Sequence, residues 1–215
     1  MKSEPDLTLP GLAHDLNNIF QTLVDAAFRL SEDPQHAEVS AMILRSVERG
    51  QRITQSLFEG GSSARLNAIV ASAQGFVEQS NREVRFLCDL DPDLEMRQGW
   101  AWERVLINLF LNTCRAMPDG GTIHVRAYRK SDGVAITVSD EGCGIPEELL
   151  EQVFAPHISG YGSTGLGLHI VKGIVEQDGG TIQVANRARG AEFRILLPAS
   201  ALVPVQEPLA ARAGA

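Results

Sequence analysis

The chain is 215 residues long, room for one large domain or two small ones, each with a buried core. Hydrophobic residues make up 44% and charged residues 21%, the balance of a soluble globular protein. A net charge of −8 argues against binding nucleic acid through a broad basic surface, while leaving open nucleotide binding, which needs only a few local groups.

No apolar run approaches the roughly 20 residues that a membrane helix needs. The acidic start, MKSEPDLTLPG, lacks the apolar centre of a signal peptide. The expectation is a cytoplasmic chain without a membrane segment, any membrane sensor lying outside this sequence. Cys88, Cys114 and Cys143 show no CxxC spacing and read as small buried or half-buried hydrophobes in a reducing compartment. Structural zinc is disfavoured by their scatter.

From Leu7 to Phe58 the pattern predicts two helices, broken at Ser31-Glu32-Asp33-Pro34. In the first, Leu12, Leu16, Ile19, Leu23, Ala26 and Leu30 form a heptad-like stripe, widened by Ala13, Phe20, Val24 and Ala27. At about 100° per residue, His14 falls in the middle of the opposite face. The second helix carries Val39, Met42, Ile43, Val47, Ile53 and Leu57, interrupted by Ser46 and Gly50. Two helices cannot cover so wide an apolar arc, so a second copy is expected to complete a four-helix bundle, making the protein a homodimer.

Glu59-Gly60-Gly61-Ser62-Ser63 reads as a flexible linker. Beyond it a helix is expected from Leu66 to about Ser80, a strand at Val84–Leu90, and a long helix at Trp100–Met117, stopped by Pro118-Asp119-Gly120-Gly121. Strands at Thr122–Arg129 and Val134–Ser139 follow, then a Gly-rich loop, a short helix near Glu147–Val153, and a second Gly-rich loop opening the helix Leu166–Gln177. Strands Thr181–Ala185 and Glu192–Leu197 close one sheet covered by helices. The expected fold class is α+β. Its domains are a helical hairpin over 1–60, an α/β-sandwich domain over 64–198, and a disordered tail over 199–215.

Four local patterns carry chemistry. In AHDLNN (Ala13–Asn18), Asp15 can accept a proton from one imidazole nitrogen of a solvent-facing His14, freeing the other to attack. Asn18, one turn on, can hold a water or a phosphoryl group. In NLFLN, Asn108 and Asn112 are one helical turn apart, and an amide oxygen suits Mg²⁺, which keeps several waters and bridges phosphates. In DEGCGIP, Asp140 ends a strand, where it can accept a hydrogen bond from an exocyclic amine. Gly142 and Gly144 let a flat ring approach the backbone. In GSTGLGLHIV, Gly162, Gly165 and Gly167 lead into a helix whose N–H groups can cradle phosphate.

In this order the motifs resemble those of sensor histidine kinases. His14-Asp15 matches the phosphoacceptor motif, Asn108 and Asn112 the asparagine motif, Asp140–Gly144 DxGxG, Phe154-Ala155-Pro156 an F-x-P segment, and Ser163–Leu168 GTGLGL with Ser for the first Gly. The resemblance runs from Leu12 to about Pro198. It implies dimerisation-phosphotransfer helices followed by a Bergerat-type ATP domain, the fold shared with DNA gyrase, Hsp90 and MutL. It further implies an ATP-dependent protein-histidine kinase that passes the phosphoryl group to an aspartate of a response regulator receiver domain. His14 would be the nucleophile, Asp15 would orient it, and Asn18 would serve dephosphorylation of the partner. Asn112 would hold Mg²⁺, supported by Asn108, with Arg115 as a basic phosphate contact. Asp140, with Gly142 and Gly144, would receive adenine, and Gly162, Thr164, Gly165, Leu166, Gly167 and Leu168 would wrap the phosphates.

Two positions depart from the family pattern. The stretch His157-Ile158-Ser159-Gly160-Tyr161 holds no Lys or Arg where short-lidded relatives carry a base, and Ile19 stands where many have proline. Among rivals, a gyrase-type ATPase would need a glutamate where this chain has Asn108. A histidine phosphotransferase relay with a weak or inactive ATP site would not need Asp140, Gly142, Gly144 and the GLGL loop intact. A kinase acting on serines of another protein leaves His14 unexplained.

Overall fold

The computed structural model describes residues 34–57, 63–78, 83–156, 158 and 167–204, and nine positions between 16 and 30. Those nine positions have helical backbone. After a 3-10 turn at Pro34–His36 comes α1 (Ala37–Leu57). The two segments meet where Ser40 Oγ donates to the Ala27 carbonyl at 2.7 Å and where Ala27 and Val47 are buried. Gly50, an interruption in the apolar stripe, is a slot for a ring: a β-carbon there would lie 2.7 Å from Phe20 Cε1. Ile19, Leu23, Val39 and Met42 stay 42–56% exposed. A groove of about 340 Å³ runs beside them, lined by Phe20, Leu23, Met42, Ile43, Ser46 and Val47.

The remaining elements are β1 (Ala64–Arg65), α2 (Leu66–Glu78), β2 (Val84–Leu90), β3 (Glu95–Met96), α3 (Gly99–Ala116), β4 (Gly121–Lys130), β5 (Gly133–Ser139), α4 (Gly167–Gln177), β6 (Thr181–Asn186) and β7 (Ala191–Pro198). They form an α/β domain around a mixed five-stranded sheet ordered β2-β4-β5-β7-β6, with β2 and β4 parallel and the other pairs antiparallel. The parallel pair needs a crossover, and α3 lies within it. One face of the sheet, with Ile123, Val125, Ile136, Val138, Phe193 and Ile195, packs in one core with residues of all three helices.

The apolar residues of α3 surround most of its circumference, because it is the central helix of that layer. Trp102 and Phe110 are fully buried, and Phe110 meets Phe86 edge-on at 5.0 Å between ring centroids. The Trp102 indole N–H donates to Asp178 Oδ2 at 2.8 Å, joining the first turn of α3 to the chain just after α4. Among the described residues no helix is long and apolar enough to cross a membrane.

Several expectations shift. Residues 199–204 are not part of a disordered tail: Ala199–Ala201 form a 3-10 turn, Leu202 is buried, and Arg97 Nε donates to the Leu202 carbonyl at 3.0 Å. Burial of one leucine and an edge hydrogen bond outweigh the Pro- and Ala-rich composition that reads as coil. The helix expected at Glu147–Val153 is a 3-10 turn at Glu147–Leu149 followed by irregular turns. The two-residue pair β1–β3 left no periodic signal. Of the cysteines only Cys114 is buried, while Cys88 and Cys143 are exposed.

Candidate functional site

Asp140 follows β5, the strand at the middle of the sheet, and only 4% of its surface is exposed. Its Oδ1 accepts the Gly142 N–H at 2.9 Å and the Ala191 N–H at 3.3 Å. Both hydrogen bonds from described residues therefore end on one carboxylate oxygen, leaving Oδ2 available to a ligand. Burial pushes the Asp140 carboxyl above the ordinary aspartate value, against the opposing pull of the Gly142 and Ala191 N–H groups.

The loop after Asp140 is pressed onto the end of α3. Cys143 N–H donates to the Ala116 carbonyl at 3.2 Å, and a β-carbon on Gly142 would stand 2.5 Å from that oxygen. Gly144 has φ +75°, a conformation that side chains rarely adopt. Glu141 Oε2 accepts the Thr122 N–H at 3.3 Å, so the acid after Asp140 faces β4.

On α3, Asn108 Nδ2 donates to the Arg104 carbonyl at 2.8 Å, which aims its Oδ1 elsewhere. A β-carbon on Gly167 would come 2.8 Å from that Oδ1, so the first residue of α4 sits against the asparagine amide. One turn on, Asn112 Oδ1 accepts from Arg115 Nη1 at 3.4 Å, while Nδ2 is buried with no hydrogen-bond partner among the described residues. A buried amide donor without an acceptor is costly in a closed protein. Phosphate or water oxygen would satisfy it, and the amide oxygen beside it is a hard ligand of the type Mg²⁺ takes. The residues present thus fit a magnesium–phosphate group.

α3 is therefore the shared floor of the site. It touches the Asp140 loop through Ala116, and the start of α4 through Asn108. Leu168 packs partly into the core, and His169 Nδ1 lies 3.2 Å from the Phe154 carbonyl, tying the F-x-P segment to α4. Gly162, Thr164, Gly165 and Leu166 of the glycine loop lie outside the described residues, as do His14, Asp15 and Asn18.

Sequence reasoning missed the turn between β6 and β7. Arg187 Nη1 donates to Ser139 Oγ at 2.9 Å, Arg189 Nε to the Glu141 carbonyl at 3.0 Å, and the Asp140 N–H to the Ala191 carbonyl at 3.1 Å. Asn186 meets both backbone groups of Ile145, accepting its N–H at 2.8 Å and donating to its carbonyl at 2.6 Å. The run Asn-Arg-Ala-Arg-Gly announces a turn, but nothing local says which loop it supports.

Residues 100–201 match the family model described as histidine kinase-, DNA gyrase B-, and HSP90-like ATPase. The chain is 31% identical over 206 residues to the sensor histidine kinase ZraS of Escherichia coli O157:H7, covering 87% of this chain and 45% of that protein. It is 30% identical over 221 residues to the sensory histidine kinase/phosphatase NtrB of Salmonella typhimurium, covering 87% of this chain and 60% of that one. The catalytic domain of histidine kinase ThkA superposes with a TM-score of 0.59 at 29% identity, over 64% of this chain and 94% of that domain. The chain thus spans about half the length of the curated relatives it matches. With its buried Asp140, paired asparagines and mixed sheet, the domain belongs to the histidine kinase-, DNA gyrase B- and HSP90-like ATPase family, in the branch carried by sensor histidine kinases.

Proposed function

We propose that this chain is the core of a cytoplasmic two-component sensor kinase, which binds Mg-ATP, phosphorylates its own His14, and passes the phosphoryl group to an aspartate of a response regulator. The observation that carries the ATP site is the buried Asp140 carboxylate, held through one oxygen at the start of a loop that Gly142 lets press onto the end of α3. Oδ2 accepts the adenine exocyclic amine, Gly142 and Gly144 let the loop beneath it pack against Ala116 and Asn186, and the backbone from Gly162 to Leu168 receives the phosphates at the start of α4. Asn112 supplies the magnesium oxygen, Asn108 positions α4, and Arg115 stands beside Asn112 as a basic phosphate contact. A magnesium ion held by Asn112 would supply neutralisation of the phosphate charge.

In the reaction, Asp15 holds one imidazole nitrogen of His14 while the other attacks the γ-phosphorus. The bond from that phosphorus to the β–γ bridging oxygen breaks, and ADP leaves. Asn18 orients a water for the reverse duty of dephosphorylating the partner. No glutamate stands at Asn108 to activate water, which favours transfer to histidine over ATP hydrolysis.

Residues 1–60 would form the dimerising hairpin and residues from 64 onward the ATP domain. The exposed Ile19, Leu23, Val39 and Met42 support a homodimer, since apolar side chains on one hairpin are covered by a second in a four-helix bundle. The test is incubation with γ-labelled ATP and Mg²⁺. Acid-labile, alkali-stable label is expected on wild type and absent from His14→Ala and Asn112→Ala. Wild type that takes no label and shows no ATP affinity overturns the kinase reading in favour of a phosphotransfer relay.

A further inference from the structure

We infer that Asn186, at the end of β6, is a positioning residue for the adenine pocket: it fixes the far end of the Asp140 loop and so sets nucleotide affinity and base discrimination. This rests on the ATP-binding reading of Asp140. A loop that reads a base by one carboxylate oxygen and a close backbone must be held at both ends, because its glycines supply no stiffness of their own.

The near end is secured by the sheet: the Asp140 N–H donates to the Ala191 carbonyl at 3.1 Å, and the carboxylate accepts from Ala191 at 3.3 Å. The middle is secured by Arg189, whose Nε donates to the Glu141 carbonyl at 3.0 Å, and by Ala116 of α3, which accepts from Cys143. The far end, beyond the left-handed Gly144, has Asn186. Its amide replaces a strand neighbour for Ile145, with bonds of 2.8 and 2.6 Å to N–H and carbonyl. It also packs against Gly144, where a β-carbon would lie 3.0 Å from Asn186 Oδ1. Only an amide offers acceptor and donor in that pairing; a carboxylate keeps the first and opposes the second.

The experiment measures ATP and GTP affinity by calorimetry, and the concentration dependence of phosphoryl incorporation, for the full chain and for Asn186→Ala and Asn186→Asp. Gln183→Ala, on the same strand away from the loop, is the control. Thermal midpoints are recorded for all. Asn186→Ala is expected to weaken ATP about tenfold or more, to narrow the preference for ATP over GTP, and to raise the half-saturating ATP concentration with little change in the maximal rate. Asn186→Asp, of the same shape, is expected to fall between wild type and Asn186→Ala, and Gln183→Ala to match wild type. Asn186→Asp with wild-type affinity and discrimination, or losses that follow the thermal midpoint in all variants including the control, would overturn the role of Asn186. Failure of wild type to bind ATP, or wild-type ATP affinity in Asp140→Asn, removes the ATP reading itself and the inference with it.

Discussion

At the residue scale the site turns on one buried carboxyl. Because burial raises the Asp140 pKa in the folded chain, the fold favours the neutral acid. The stability that Asp140 contributes is complete below the unfolded-state pKa and lost as pH rises through the folded one. Asp140→Asn keeps an acceptor for Gly142 and Ala191 without the buried charge. Its ligand-free form is therefore expected to melt higher than wild type near neutral pH, the gap closing as pH falls into the range where the wild-type carboxyl protonates. A pH series of thermal midpoints checks this. On the proposed adenine contact the same substitution replaces an acceptor by a donor and is expected to weaken ATP by about 10- to 100-fold, following the roughly 1–3 kcal/mol cost of an unpaired polar group. In wild type, ATP affinity should decline on acidification sooner than an ordinary aspartate would dictate. The sequence singled out Asp140 as a carboxylate at a strand end before two glycines, and the structure buries it there. It did not single out Asn186, because its partner Ile145 is 41 residues away.

At the element scale, the β6–β7 turn and α3 hold the Asp140 loop from two sides. Gly190 has φ +75°, and a β-carbon there would lie 2.0 Å from the Asp140 carbonyl oxygen. Gly190→Ala is expected to cost about 1–3 kcal/mol from backbone strain alone, with more from the clash, and to lower ATP affinity by displacing Asp140. Denaturant unfolding and calorimetry on one preparation measure both. The long elements followed their sequence patterns within a residue or two, since apolar periodicity and glycine or proline stops act locally. The failures are the short elements. The β1–β3 pair and the Ala199–Ala201 turn are two or three residues long and are held by partners distant in the chain, while the 3-10 turn at Glu147–Leu149 closes on bonds to its immediate neighbours.

At the scale of the whole molecule, residues 199–204 pack on the sheet domain, and Ile19, Leu23, Val39 and Met42 leave an apolar face exposed. Leu202 is 1% exposed and its backbone bridges Met96. Leu202→Ala is expected to destabilise the domain by about 2–4 kcal/mol, the cost of emptying a buried leucine site, read from denaturant midpoints. Met42 is 56% exposed beside the apolar groove that it lines with Phe20, Leu23 and Val47. If the proposed homodimer forms, Met42→Glu is expected to shift it to monomer in light scattering at micromolar concentration, with calorimetric ATP affinity unchanged. The sequence by itself determined the mixed helix-and-strand order, the asparagine helix, and the motif order that marks the kinase family, because periodicity, turn chemistry and motif spacing are all properties of short windows. The tertiary structure alone decided that residues 199–204 belong to the domain, that Gly50 is a slot for Phe20, and that the β6–β7 turn braces Asp140. Those facts rest on contacts between segments far apart in sequence, whose energies exist only once the sheet has brought them together.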